Sequence, residues 1–429
     1  MMNRDTPVCD LEMLFKVSPL AVMAMVGLCF DIFKLGSCLP RRALQSLTAY
    51  CAGLITLDRK QTSLRISNYL GGISHDRLTR FLGEGEFYCS KLMIHFVHLI
   101  QFFRGKGFLI LDDTFLLHPR SKKIKGVYWD YDHSLKRKVF GQRLVVLIWS
   151  DGFWRIPVAF SFWHKKGARP KYRTKNEIAR TLLSWSVHQG LKPDYVTFDN
   201  WYASQKNLKL ILIDLKLDFV TRIKRNHYLV YQGRRLQART IGRRVLASSR
   251  KYRFKDLGVW ARRAEVQVGD LGLMTFVVLK DELDGEKSGI KYLLASTPRL
   301  SAREAIRRYK SRWIIETLFW DLKQHLGLSN HQGRKLCASE KHVAAALLSA
   351  FVLDHLRFGS GLSLGETKRV LQRLVFVKTE KQGLQLASLQ PAPAADLEQM
   401  EEMKKIMRKQ LWRVSGMKLH SRPLLEKAA

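Results

Sequence analysis

Between residues 105 and 223, short apolar runs alternate with helix-like segments, and this order restricts the fold more than any other part of the sequence. Five runs are typical of buried strands, at 107–113, 143–149, 153–162, 194–199 and 217–222. Helical periodicity marks 177–189 and 203–215. The order β, β, β, α, β, α, β predicts an α/β fold, with a mixed sheet and flanking helices.

Two of the predicted strands end in acidic residues. Asp112 and Asp113 end the first strand, and Asp199 ends the fourth. Carboxylates at the C-terminal ends of strands lie at a sheet edge that a substrate can approach. Because successive residues of a strand alternate between its faces, only one of Asp112 and Asp113 can point into a given site. Asp199 has a second interpretation, as the cap of the helix that follows it.

Four residues of a predicted helix at 301–326 recur at spacings of three, four and seven, namely Tyr309, Arg312, Glu316 and Lys323. At this spacing their side chains fall on one helix face, within roughly 60° of one another. A carboxylate beside phosphate-binding groups suggests metal-assisted chemistry on a phosphodiester. Two aspartates and Glu316 suffice for two divalent ions, since the phosphate supplies further oxygens. A surface ion pair between Glu316 and Arg312 is the simpler alternative.

The charge of the chain indicates a polyanionic partner. Its 74 Lys and Arg against 37 Asp and Glu give a net charge of +37, for which nucleic acid is the usual partner. Between 222 and 263 fourteen cations accompany one acid, Asp256, and are interleaved with Tyr228, Tyr252 and Trp260. Cations that hold a backbone and aromatics that stack on bases fit contact with a DNA strand. A solvated basic surface is the alternative.

Helical segments flank the predicted sheet. Residues 64–82 resemble a helix–turn–helix, with Ser74 as the cap of the second helix and Arg77 and Arg80 as DNA contacts. The apolar segment 17–30 is too short to span a bilayer and predicts a buried helix. Segment 340–358 predicts an apolar helix that covers the sheet. Segment 396–414 predicts an amphipathic helix that packs on its own domain or pairs with another subunit.

The segment 309–323 resembles the Tyr–Arg–Glu–Lys signature of cut-and-paste insertion-sequence transposases. Their DDE catalytic domain has a ribonuclease-H-like fold of the retroviral-integrase type. Asp113 resembles the first catalytic aspartate, which commonly precedes Thr, and Asp199 and Glu316 match the second and third acids. The resemblance covers residues 105–330. It implies a β-rich insertion between the second aspartate and the glutamate, which fits the β-like runs in 224–297.

The resemblance also implies roles for these residues. Asp113, Asp199 and Glu316 would bind two Mg²⁺ ions, with Mn²⁺ as a substitute, and Asp112 is the alternative to Asp113. DNA contacts would come from Tyr309, Arg312 and Lys323 near the cleaved end and from an aromatic that stacks on a flipped base. Tyr292 occupies the place of that aromatic, and Trp260 is a second candidate.

These observations lead to a domain plan and a function. We expect a helical DNA-end-binding domain at 1–100, a ribonuclease-H-like catalytic domain at 101–223 and 298–358, a β-rich insertion domain at 224–297, and a C-terminal helical region at 359–429 that serves in dimerisation. The predicted function is a DNA transposase that acts on transposon ends and target DNA. We expect a homodimer or higher oligomer in the bacterial cytoplasm, at the nucleoid and not at a membrane. The alternatives are a catalytically inactive sequence-specific DNA-binding protein, such as a domesticated relative or repressor, and a nuclease that does not transpose.

Overall fold

The computed structural model describes residues 19–381, apart from short gaps at 59–60, 85–86, 103–106, 120, 122, 133–135, 167–171, 248–251 and 282–288. The amphipathic helix predicted at 396–414 therefore lies outside the described residues.

In the part of the chain that the structure describes, five helices precede the sheet: α1 Pro19–Ile32, α2 Arg41–Thr56, α3 Ser63–Leu70, α4 His75–Gly83 and α5 Cys89–Phe102. Helix α1 is largely buried, as predicted, and its Val26 is inaccessible to solvent. Helices α3 and α4 are joined by a turn at Gly71 and Gly72, which both have positive φ. The Ser74 hydroxyl accepts a hydrogen bond from the Arg77 N–H and caps α4. This confirms the cap and the helix pair that the sequence predicts.

Twelve strands form one mixed sheet: β1 Phe108–Leu117, β2 Tyr128–Asp132, β3 Arg137–Ser150, β4 Ile156–Trp163, β5 Val196–Phe198, β6 Phe219–Ile223, β7 Tyr228–Tyr231, β8 Arg234–Gln237, β9 Tyr252–Phe254, β10 Val259–Gln267, β11 Leu273–Asp281 and β12 Lys291–Ala295. The strand order is β2-β3-β1-β5-β6-β12-β11-β10-β7-β8, with β4 paired to β3 and β9 to β10. Strand β1 is parallel to β5, and β5 to β6, whereas β1 and β3 are antiparallel. This is the predicted α/β mixed sheet, consistent with a ribonuclease-H-like fold.

The local sequence explains the central elements. The first half of β1 is buried, as its apolar run predicts for a strand covered on both faces. Strands β3 and β4, predicted at 143–149 and 153–162, form a hairpin. Its turn is closed by the Asp151 carboxylate, which accepts from the N–H groups of Phe153 and Trp154. Helix α6, Lys175–His188, begins with a capping box between Thr174 and Glu177. Helix α7, Gln205–Lys209, continues into a π-helical turn.

The segment 224–297 contains six of the strands and also a helix, α8 Ala238–Ala247, which the β-like runs do not predict. Its last strand, β12, pairs with β6 through Tyr292–Ile223 and Leu294–Thr221. The strands of this segment therefore extend the central sheet.

The predicted helix at 301–326 is two helices, α9 Ala302–Lys310 and α10 Trp313–Gln324. Between them the Ser311 hydroxyl donates to the Arg308 carbonyl at 2.6 Å, and the Arg312 N–H bonds to the Tyr309 carbonyl three residues back. This local tightening interrupts the regular i→i−4 bonding of an α-helix. Tyr309 therefore lies on α9, whereas Glu316 and Lys323 lie on α10.

Helix α11, Leu336–Arg357, contacts both the sheet and the helices that precede it. It contacts α2, α4 and α5 as well as β4 and α10, which confirms the predicted apolar helix over the sheet. Among the described residues, α11 is the one helix that is long and apolar enough to cross a membrane. However, 83% of its 18-residue apolar stretch is buried inside the protein. It is therefore a core helix. Helix α12, Leu364–Lys381, packs on α11 and α2.

Candidate active site

The first two acids meet in the middle of strand β1, beside the end of β5. The parallel register pairs Leu111 with Phe198, and one further step brings Asp112 beside Asp199. Paired residues of parallel strands point to the same face, so these two carboxylates share one side of the sheet. Asp199 is half-buried, and its charge raises the pKa of Asp112 together with burial and Asp113.

Arg312 connects this pair to the third acid. Its Nη1 donates to Asp112 Oδ2 at 2.7 Å, and its Nη2 donates to the Glu316 carboxylate one helical turn away. The side chains of Arg312 and Asp112 are only 14% and 16% exposed, so the bridge is shielded from water. One guanidinium thus joins the Glu316 carboxylate to that of Asp112, which lies 200 positions before Arg312 in the chain.

The Asp112 carboxyl group is largely shielded from water and pairs with one cation, Arg312. Burial raises the pKa of this carboxyl group to about 7, against the opposing effect of Arg312. The Nε of Arg312 is also buried and has no hydrogen-bond partner in the structure. Burial thus opposes ionisation of Asp112, and one N–H of Arg312 is left without an acceptor among the described residues.

Asp113 points to the other face of β1, which corrects the expectation that it is the first acid of the site. Its carboxylate accepts from Tyr202 at 2.7 Å, from Arg143 at 2.7 Å and from Lys175 at 3.0 Å. Although burial alone would raise the pKa of Asp113, Lys175 and Arg143 outweigh it, and the pKa lies below its ordinary value. The reason is the alternation of side chains along a strand, which separates two adjacent aspartates.

Tyr309 lies three residues before Arg312 in the sequence, and Lys323 lies seven residues after Glu316. The Arg312 guanidinium lies 5.7 Å from the centre of the Tyr309 ring. Burial raises the pKa of Tyr309, and the Asp199 charge adds to this effect. Lys323 is exposed on α10, seven residues beyond Glu316 and on the same helix face. The structure therefore keeps three of the four motif residues close together, with Lys323 at the rim.

Tyr292 does not offer a surface for a DNA base. It is only 7% exposed, its ring stacks on Phe276 with centroids 5.9 Å apart, and it packs against the backbone at Gly242. The prediction of a base contact at Tyr292 is therefore corrected, because Phe276 and helix α8 enclose the ring. Trp260 is 39% exposed and has the Arg253 guanidinium 5.6 Å from its ring.

Arg77 and Arg80 both lie on α4. The Arg77 guanidinium donates to the Gln45 side chain at 2.9 Å and to the Ser46 hydroxyl at 3.3 Å, so it ties α4 to α2. Arg80 is exposed. Of these two residues, Arg80 presents its side chain to solvent, whereas Arg77 is engaged within the protein.

A buried ion network positions the helix that carries Glu316. Arg155 at the start of β4 donates to Asp321 of α10 at 2.5 Å and to Asp354 of α11 at 2.8 and 2.6 Å. The Asp354 side chain is inaccessible to solvent, and Arg357 also donates to it. These bonds hold α10 against the sheet and α11. Sequence patterns gave no indication of this network, because its partners are distant in the chain.

The donor set suits a hard divalent cation. Asp112, Asp199 and Glu316 supply carboxylate oxygens, the ligands that Mg²⁺ prefers. Arg312 now holds two of them, which marks the space between them as a place for positive charge. Within the part of the chain that the structure describes, no three His, Cys, Asp or Glu side chains are close enough to ligate one metal ion. The carboxylates therefore fit such an ion in the chemistry of their oxygen atoms.

Two comparisons with known proteins indicate the family of this chain. The sequence profile described as "DDE superfamily endonuclease" matches residues 34–270, more than half of the chain, and this range includes Asp112 and Asp199 but ends before Glu316. The chain is also 25% identical over 307 residues to a protein named "Probable transposase for insertion sequence element IS701" from Microchaete diplosiphon. The aligned region covers 67% of this chain and 77% of that protein. DDE superfamily endonucleases generally use divalent metal ions. The chain belongs to the family of DDE superfamily endonucleases.

Proposed function

We propose that this protein is a DNA transposase that cleaves phosphodiester bonds at transposon ends and joins the freed 3′-hydroxyl ends to target DNA. One observation carries the proposal: Arg312 links Asp112 of β1 to Glu316, and the register of β1 against β5 brings Asp112 beside Asp199. Family membership and the similarity to an insertion-sequence transposase support the same reaction class. The match of 309–323 to the Tyr–Arg–Glu–Lys signature supports that branch of the family.

The catalytic acids in this proposal are Asp112, Asp199 and Glu316, with Asp112 in place of Asp113. They would hold two Mg²⁺ ions, or Mn²⁺ as a substitute, because three carboxylates provide hard oxygen ligands and partial charge balance. When bound, the two ions activate the attacking oxygen and stabilise the leaving oxygen of the phosphodiester. The raised pKa of Asp112 supports this role, since a nearby dication favours the ionised carboxylate.

The cationic side chains of the site hold the DNA backbone. Arg312 presents two N–H groups in a fork that matches a phosphate as well as a carboxylate, so it can exchange its carboxylate partners for a DNA phosphate. Lys323 extends the same helix face toward solvent and suits the next phosphate. The Tyr309 ring packs beside Arg312 and keeps the guanidinium in the site.

The surface of the 224–297 segment suits a longer DNA contact. Tyr228 and Tyr252 are 53% and 63% exposed, and Arg235 lies 5.0 Å from the Tyr228 ring. Exposed aromatics beside cations favour stacking on bases and neutralisation of phosphates. We assign this segment to DNA contact and helices α3 and α4, with Arg80, to the binding of transposon ends. The partners are double-stranded ends, target DNA and a second copy of the chain in the synaptic complex.

The test is a cleavage and joining assay on labelled DNA that contains the coding sequence with its natural flanks on both sides. The wild-type protein should cut in the flanks and form joined products only when Mg²⁺ or Mn²⁺ is present. Asp112→Asn and Glu316→Gln should abolish cutting but still shift the DNA in a gel, because the acids do not provide the affinity for DNA.

Each other outcome has a distinct meaning. Cleavage that persists in Asp112→Asn, or that needs no divalent ion, contradicts the proposal. A DNA shift without cleavage by the wild type indicates an inactive sequence-specific DNA-binding protein, such as a domesticated relative or repressor. Cleavage without joined products indicates a nuclease that does not transpose.

A further inference from the structure

Asp113 lies at the centre of a buried network on the face of β1 opposite the candidate active site. Its side chain is 8% exposed and is held by three donors from different elements: Tyr202, Lys175 and Arg143. Arg143 also pairs with Asp130 of the edge strand β2 at 2.5 Å. A carboxylate that collects this many bonds fixes the groups that donate to it.

The Tyr202 end of this network belongs to the turn that begins at Asp199. The Tyr202 N–H donates to the Asp199 carbonyl at 3.0 Å, which closes a four-residue turn from 199 to 202. The Tyr202 ring is buried, with 1% exposure, and its hydroxyl reaches Asp113 at 2.7 Å. The last residue of the turn is thereby tied to β1 while the first carries the second acid.

Two further contacts hold the same turn. Lys175, which also binds Asp113, lies 4.4 Å from the centre of the Trp201 ring. The Asn207 amide donates to the Tyr202 carbonyl at 2.9 Å and to Asn176 at 2.8 Å. Trp201 and Tyr202, the third and fourth residues of the turn, are thus both held in place. Lys175, which contacts Trp201, also bonds to Asp113, and Asn207, which bonds to Tyr202, also bonds to Asn176 at the start of α6.

This arrangement gives two adjacent aspartates different tasks. On one face of β1, Asp112 is part of the acid site. On the other face, Asp113 holds the turn whose first residue is Asp199. We infer that Asp113 and Tyr202 are positioning residues, which fix the Asp199 carboxylate beside Asp112 so that both can ligate one divalent ion. The inference rests on the proposed function for the identity of the ion site.

The test compares the full-length protein with Tyr202→Phe and Asp113→Asn. Tyr202→Phe removes only the hydroxyl that reaches Asp113. Tyr50→Phe is the matched control, since the Tyr50 hydroxyl is equally buried but bonds to His342, away from the acids. Free Mn²⁺ is measured by electron paramagnetic resonance to obtain the dissociation constant, and thermal melting reports stability.

Loss of a group that orients a metal ligand typically weakens ion binding by about 10–100-fold. Tyr202→Phe should therefore raise the Mn²⁺ dissociation constant by about tenfold, and Asp113→Asn by more. Tyr50→Phe should lower the melting temperature without changing the dissociation constant. DNA cleavage by Tyr202→Phe should recover at high Mn²⁺ concentration, whereas Asp112→Asn should not recover at any concentration.

Two results would overturn the inference. One is an unchanged Mn²⁺ dissociation constant in Tyr202→Phe, which would reduce the network to a stabilising role. The other is complete loss of Mn²⁺ binding in Asp113→Asn with retention in Asp112→Asn, which would make Asp113 itself the ligand. If the wild type binds Mn²⁺ but cleaves no DNA, the proposed function fails, while the affinity comparison still decides the positioning role.

Discussion

The Arg312 side chain donates to Asp112 and Glu316 at once, so it supplies the positive charge that two buried carboxylates require. A divalent ion at the same carboxylates would compete with it. In the proposed function, Arg312 and a divalent ion therefore compete for the same two carboxylates.

Replacement of Arg312 by Gln should remove this competition. The variant should be less stable than the wild type without divalent ions, because the carboxylates lose their cation. Mg²⁺ should then raise the free energy of unfolding by about 1.4 kcal/mol more in Arg312→Gln than in the wild type, as for tenfold tighter binding. Denaturation with and without Mg²⁺ measures this difference. An equal Mg²⁺ effect in both proteins would mean that Arg312 does not compete for the ion site.

At this scale the sequence identifies the acids better than their orientation. The acids at 112–113 and 199 and the spacing of 312 and 316 are visible in the sequence, but β1 continues beyond its predicted end at 113 to Leu117. The choice between Asp112 and Asp113 depends on the register of β1 against β5, which a single sequence does not reveal. Tyr202 and Lys175 carry no motif, and only the folded chain brings them to Asp113.

Among the elements, α10 matters most, because it carries Glu316 and is held by Arg155. This guanidinium pairs with Asp321 of α10 and Asp354 of α11 in a nearly water-free place. Removal of one partner from a buried ion pair leaves an uncompensated charge. The position of Glu316 therefore depends on an ion network on another part of its helix.

Arg155→Met should lower the free energy of unfolding by about 3–5 kcal/mol, because two buried carboxylates lose their partner. Arg303→Met is the matched control, since Arg303 pairs with Asp256 at the surface, where both side chains are 44% exposed. The control should lose less than about 1 kcal/mol. Urea denaturation of both variants gives the comparison. Similar losses in the two proteins would show that the Arg155 network does not hold the elements together.

Regular elements follow well from the sequence where local signals are strong. The strands on either side of the turn at Asp151 and the Ser74 cap of α4 are examples, since each is completed by neighbouring residues. The break between α9 and α10 was missed because Ser311 bonds back to Arg308 within an otherwise helical pattern. Helix α8 was missed because its surroundings are β-like and its apolar face packs on β8, β10 and β11.

The whole molecule is joined through α11 and a cluster of buried histidines. His342 of α11 bonds to Tyr50 of α2, and its ring stacks on His331, which in turn contacts His118 beyond the end of β1. Burial lowers the pKa of His118 and His342 to about 4, and that of His331 well below its ordinary value. Neutral histidines thus link the helical region at the start of the chain to the sheet.

These lowered pKa values predict loss of stability in acid. The unfolded chain binds protons at these histidines below pH 6.5, whereas the native chain does not until about pH 4. The free energy of unfolding should therefore fall as pH decreases from 6.5 to 4, by about 1.4 kcal/mol per pH unit for each histidine. Melting temperatures across this range for the wild type and His342→Gln measure it, and the variant should show the shallower fall. Parallel curves for the two proteins would contradict the assignment.

Asp112, Asp199 and Glu316 are far apart in the chain, and the proposed function requires that they form a single site for divalent ions. An experiment that detects such a site replaces Mg²⁺ by Fe²⁺ and adds ascorbate and peroxide, so that bound iron cuts the backbone next to its ligands. We expect cuts near residues 112, 199 and 316. Excess Mg²⁺ should suppress all of these cuts, and Asp112→Asn should show none of them. Cuts at other places, or cuts at these places that persist in Asp112→Asn, would contradict it.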